Sequence, residues 1–211
     1  MKRTISKKIF GFMFIASAAL VITSCQKEEN VGFKSSSSDQ GKTNSNENAL
    51  LDISTCSPIP DILKVQEGNK FVLQTYAKGF QIYQVKRSAT DPNVFSWVNI
   101  APLAALYTRP DFTNQVIDHF AGPSWEFIKG PSKGEKVVAT RVQGVTQDQT
   151  AIQWLLLKAV DSLSTPGNKI TFVQRICTHG GLAPTTIADE AHLGQLDSIP
   201  YTASYLFYTK D

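Results

Sequence analysis

Phe71-Val72-Leu73-Gln74-Thr75-Tyr76-Ala77-Lys78-Gly79-Phe80-Gln81-Ile82-Tyr83-Gln84-Val85 holds two runs rich in aromatic and β-branched residues. They flank Ala77-Lys78-Gly79, as the strands of a hairpin with Gly in its turn would. Moving outward, the same alternation of short apolar runs and turn signals continues to the C-terminus. Asp91-Pro92-Asn93 turns the chain into a strand over 94–100, and Gly122-Pro123 and Gly130-Pro131 bracket a short strand over 124–129. Residues 136–143 alternate apolar and polar in their second half. Residues 151–160 are apolar on both faces, so Trp154-Leu155-Leu156-Leu157 is expected to be a strand covered on both sides. Residues 169–178 place Ile170, Phe172 and Ile176 on one face and Val173, Arg175 and Cys177 on the other, and Tyr205-Leu206-Phe207-Tyr208 makes a last strand. The one helical hint lies in 187–196. Many short strands without alternating helices predict an all-β fold: a single antiparallel β-sandwich or barrel over 51–211, with at most one or two short helices.

The N-terminus reads as an address. Lys2, Arg3, Lys7 and Lys8 precede an apolar run over 9–22, too short to span a bilayer as a helix but suited to a signal peptide covering residues 1–24. Ile22-Thr23-Ser24-Cys25 resembles the bacterial lipobox, in which small residues fit the peptidase groove and the cysteine thiol receives diacylglycerol. Acylated Cys25 would then hold the chain to a lipid bilayer. Gln26-Lys27-Glu28-Glu29-Asn30 resembles the export signal of Bacteroidetes lipoproteins, which implies an outer-membrane protein exposed at the cell surface. The Ser- and Asn-rich segment to about residue 50 is too polar to bury a core and is expected to be a flexible tether, reaching ~25–30 Å.

Several strings recur together: Gly79-Phe80-Gln81-Ile82-Tyr83, Ala101-Pro102-Leu103-Ala104-Ala105-Leu106-Tyr107, and His119-Phe120-Ala121-Gly122-Pro123-Ser124-Trp125-Glu126. Trp154-Leu155-Leu156-Leu157, Gln174-Arg175, Thr178-His179-Gly180-Gly181 and Pro200-Tyr201-Thr202-Ala203 follow in order. In this order and spacing they resemble the bacterial and fungal family called domain of unknown function 3455, from about Pro58 to the C-terminus. The resemblance implies a secreted or surface domain and brings no established activity. Two departures limit what it carries over. Lys129-Gly130-Pro131-Ser132 stands where the family has an acidic residue followed by Gly-Ser. Thr185-Thr186-Ile187-Ala188 stands where it often has a cysteine.

Among polar clusters, His119 and Glu126 around Gly122-Pro123 are the candidate acid/base pair, provided the turn brings them within hydrogen-bond reach. A pocket shared by His119, Glu126, Arg175, Gln81, Tyr83 and Tyr201 is the corresponding expectation, with Trp125 as a further candidate contact. The plainer reading has Trp125 packed in the core and Glu126 bonded to backbone or to Arg175. Cys177, His179, His192 and Asp189 have the residue types for zinc, but Cys-x-His is not a paired zinc knuckle, so no metal is expected. Cys56 and Cys177 remain after Cys25 is acylated. They either pair, closing a loop worth ~4–5 kcal/mol in the chain-entropy model, or stay as buried thiols.

The chain has 211 residues and a net charge of +3. The four cations of the signal segment more than account for that charge, so the domain is close to neutral and offers no footprint for nucleic acid. Nucleotide loops, the Gly-x-Ser-x-Gly elbow and His-Glu-x-x-His are all missing from the sequence, and no cofactor is expected. The leading expectation is a non-catalytic binding or interaction module, with a small-molecule, glycan or protein ligand. The alternative is an enzyme acting on an extracellular small molecule or glycan through His119 and Glu126.

Overall fold

Among the described residues, eight strands follow one another in sequence, each antiparallel to the next, and the last returns to the first. They are β1 (Asn69–Arg87), β2 (Phe95–Tyr107), β3 (Gln115–Phe120), β4 (Ser124–Phe127), β5 (Lys136–Val145), β6 (Trp154–Ala159), β7 (Ile170–Gly180) and β8 (Leu196–Lys210). The computed structural model describes residues 56–211; the expected signal peptide, the expected acylation site Cys25 and the expected tether lie outside the described residues. Closure rests on β1 and β8, paired from Asn69 opposite Lys210 to Gln84 opposite Leu196. The two ends of the sheet therefore satisfy each other and leave no open edge. Of the two expected architectures, the barrel is the one formed. Among the described residues the only helical pieces are three single 3-10 turns, at Asp61–Leu63, Asp161–Leu163 and Glu190–His192. The last of these is all that forms in 187–196, with the Asp189 side chain accepting from the His192 backbone N–H.

The expected hairpin at Ala77-Lys78-Gly79 does not exist. β1 runs unbroken through it, with Thr75, Ala77, Gln81, Tyr83 and Val85 buried at every second position. Gly79 keeps that period and lies opposite Ala104 of β2. A Cβ on Gly79 would sit 2.2 Å from the Leu103 carbonyl oxygen and 2.4 Å from Ala104 Cα. The glycine thus serves close approach of two backbones inside a strand, not a turn.

Two apolar clusters lie on the two sides of the β6–β8 wall. The interior cluster includes Leu106, Ile117, Trp125, Phe127, Leu157, Val173, Tyr205 and Phe207. Outside, residues 56–68 cross the wall as a strap and cover Trp154, Leu156, Phe172, Ile176 and Leu206, with Leu63 wholly buried among them. This accounts for the unbroken Trp154-Leu155-Leu156-Leu157 run: Leu155 and Leu157 face the interior, Trp154 and Leu156 the strap. The strap is fastened at two points. Cys56 and Cys177 form a disulfide with Cα atoms 5.8 Å apart, and Gln174 Nε2 donates to the Leu63 carbonyl at 2.6 Å while its Oε1 accepts from the Tyr208 hydroxyl at 2.6 Å.

Cys177 departs from the expected face. Its φ of 50° and the register shift between Ile176 and His179 mark a bulge, which turns Cys177 outward beside Ile176 instead of inward after Arg175. Without that extra residue its thiol would point away from the strap.

Candidate functional site

The interior is filled in layers, and one layer decides the shape of the barrel's mouth. Tyr201, Gly79, Ala104, His119, Trp125 and Val137 are successive register partners around β8, β1, β2, β3, β4 and β5. The two small residues leave room that three large rings occupy, as a narrow barrel requires. His119 lies flat on Trp125, with ring centroids 4.6 Å apart and planes within 5°, and Tyr205 meets the imidazole edge-on at 5.2 Å. Gly122, at φ 134°, makes the tight β3–β4 connection that sets these two rings side by side.

Above this layer a cavity of about 560 Å³ opens to solvent. Its polar lining comes from inward positions of six strands and the segment before β6: Gln81 and Tyr83 on β1, Asn99 on β2, His119 on β3, Arg141 on β5, Gln153 just before β6, Arg175 on β7 and Tyr205 on β8. Ile152, Leu155, Leu157 and Leu182 add apolar surface. The cavity is within the size range of small-molecule sites. Among the described residues, no aspartate or glutamate contributes to the lining.

His119 is 2% exposed, and its Nδ1 lies 2.8 Å from the Ser124 carbonyl. A carbonyl can only accept, so Nδ1 carries the proton and Nε2 is an acceptor. Burial lowers the pKa of the ring to about 3, with the Arg175 guanidinium adding to the effect and the Ser124 bond opposing it. His119 is therefore neutral under ordinary conditions. Burial likewise raises Tyr201 and Tyr205, whose hydroxyls are 3.5 Å apart. Tyr83 is raised by burial too, and its hydroxyl donates to the Gly181 carbonyl at 2.7 Å.

Arg175 is half-buried, and its Nε and Nη2 both donate to the Gln153 carbonyl, at 3.1 and 2.9 Å. Gln81 accepts from Asn99 through Oε1 at 3.0 Å, but its Nε2 has no hydrogen bond of good geometry, only a contact with the Tyr201 hydroxyl, although the residue is only 4% exposed. The Trp125 indole N–H is also buried without a partner.

Of the residues expected to share a pocket, His119, Arg175, Gln81 and Tyr83 do line one cavity. Trp125 lies beneath it, stacked on His119, and Tyr201 stands beside Tyr205. Glu126 is elsewhere. It pairs with Asp118 while His119 pairs with Trp125, so the pleat sends Glu126 to the outer face, where it is exposed. The zinc candidates are also dispersed: Cys177 is disulfide-bonded, His192 Nδ1 contacts Asp189 at 2.6 Å, and His179 is exposed. Arg141, Asn99 and Gln153 were not anticipated. Arg141 had a signal, since it continues the inward parity of Val137 and Ala139 on β5. Gly144 makes space for it, because a Cβ there would lie 2.5 Å from Arg141 Nη2.

Comparison with curated proteins and with solved structures gives no match. One family model does match, over residues 66–209, which takes in the whole barrel except Lys210, the last residue of β8. The chain belongs to the family described as Protein of unknown function (DUF3455).

Proposed function

We propose that this chain is a lipid-anchored protein of the cell envelope, acylated at Cys25 and displayed at the outer-membrane surface by the tether. Its barrel mouth binds a small molecule without transforming it. The observation that carries the reading is the 560 Å³ cavity, in which uncharged polar groups and two arginines converge over a packed aromatic floor. An acid/base mechanism through His119 and Glu126 finds no support, because the two side chains leave opposite faces of the wall and burial holds the imidazole unprotonated. Without a carboxylate beside it among the described residues, His119 is better suited to shaping the floor.

Native mass spectrometry of the mature chain, purified from its own membranes, tests the binding role. A small molecule released intact from the barrel is expected; a compound that the chain converts on incubation would overturn the non-catalytic reading. Metabolic labelling with an alkynyl fatty acid tests the anchor: label on the wild type and none on Cys25→Ala is expected, and equal labelling would remove it.

A further inference from the structure

We infer that the mouth recognises an amphipathic organic acid, with Arg175 and Arg141 receiving the carboxylate and the apolar wall receiving the body. This rests on the proposal that the mouth binds a small molecule, and names the class of that molecule.

Three observations converge. First, the lining holds two guanidinium groups and no carboxylate, and neither Arg141 nor Arg175 has an ion-pair partner among the described residues. The arginines stand on β5 and β7, on either side of β6. Arg141 is in register with Leu157 and Arg175 with Leu155, both of which face the interior. Both cations are thus directed to the same side of the wall. A half-buried cation without a counter-charge is costly, and an arriving anion removes that cost.

Second, the guanidinium of Arg175 is held in orientation before any ligand arrives. Its Nε and one Nη2 hydrogen are engaged by one backbone carbonyl, which leaves the second Nη2 hydrogen and both Nη1 hydrogens, with the Tyr205 hydroxyl beside the guanidinium, as the donor edge. Its field reaches His119, Tyr83, Tyr201 and Tyr205, favouring the negative or neutral form of each. Third, the buried Gln81 Nε2 lines the same cavity and has no hydrogen bond of good geometry, only its contact with the Tyr201 hydroxyl. A carboxylate or carbonyl oxygen supplies what that donor is missing.

Ile100, Pro102, Ile152, Leu155, Leu157 and Leu182 give the lining its apolar wall. They offer nothing to a polyhydroxylated body, but they suit a ring or a short alkyl chain.

The test compares acids with their own amides, which keep shape and lose charge. Naphthoate with naphthamide, and octanoate with octanamide, are titrated calorimetrically into the mature chain in lipid nanodiscs, with empty nanodiscs as the blank. At least one acid is expected to bind more tightly than its amide by about tenfold or more, with the preference weakened by salt. Arg141→Gln, at an exposed position, and Arg175→Gln are each expected to reduce that preference while amide binding stays. Near-ultraviolet circular dichroism confirms that each variant is folded; if Arg175→Gln is not, Arg141→Gln alone decides. If amides bind as well as acids, or the variants leave the preference unchanged, the organic-acid assignment falls and the binding mouth stands. If neither acids nor amides bind, both fall.

Discussion

The imidazole of His119 and the indole of Trp125 lie parallel at 4.6 Å, directly paired across β3 and β4. The stack closes the floor of the mouth, and it does so with a histidine that cannot accept a second proton cheaply. Burial withdraws it from water and Arg175 is near, and together these outweigh the Ser124 bond to its Nδ1–H. The candidate acid/base residue of the sequence is thereby stacked into the barrel floor and carries a pH liability.

That liability sets the first prediction. The folded pKa of about 3 lies below the 6.5 of an unperturbed histidine. As pH falls through 6.5, the unfolded chain takes up a proton that the folded chain refuses until about pH 3. Stability from this group is thus intact above that upper value and lost toward the lower one, with a slope approaching ~1.4 kcal/mol per pH unit. Thermal melts across this window should show His119→Gln losing less stability on acidification than the wild type. Parallel melting curves would show that the ring is not held neutral by the fold.

Gly79 faces a steric limit rather than a conformational one. Gly79→Ala is expected to destabilise the barrel by at least ~1–3 kcal/mol, because the new methyl meets the backbone at Leu103 and Ala104. Gly130→Ala is the informative contrast: its φ is 82° but nothing lies within 4 Å, so only the strain of ~1 kcal/mol should register. Urea midpoints of the two variants measure the order, and a smaller loss at Gly79 would contradict the close approach.

The Cys56–Cys177 bridge closes a separation of 121 residues. Reduction, or Cys56→Ser, should lower stability by up to ~4–5 kcal/mol in the chain-entropy model. Melting temperatures with and without reductant check it, together with thiol counting under denaturing conditions. Two alkylatable thiols in the unreduced protein would exclude the bridge.

Gln174 holds the strap from the other side. Gln174→Leu keeps the volume but strands the Leu63 carbonyl and the Tyr208 hydroxyl, at an expected cost of about 1–3 kcal/mol. Hydrogen exchange should rise in residues 56–68 before it rises in β7. Unchanged exchange there would mean that the glutamine is not what fastens the strap.

Much of the site was legible because strand parity is local. Gln81 and Tyr83 share a face two residues apart, and Gln174-Arg175 sends one residue to the strap and the other to the mouth. Parity also separates His119 from Glu126 once the register across the β3–β4 turn is known, but the spacing in the sequence does not contain that register. The hairpin reading of Ala77-Lys78-Gly79 failed for a related reason. Glycine is as useful for bringing backbones together as for turning them, and only the position of Ala104 tells which role applies.

By itself the sequence determined the all-β class and the covered β6 strand, because propensity and period act over a few residues; whether Cys56 and Cys177 pair it left open. The tertiary structure decided closure, since the β1–β8 pairing joins residues at opposite ends of the domain. It also decided that the bulge at Cys177 turns the thiol to the strap, and that Arg141 and Arg175 face one cavity from either side of β6. Those outcomes depend on which face becomes the inside. That choice follows from register and closure around the whole barrel, not from any one strand.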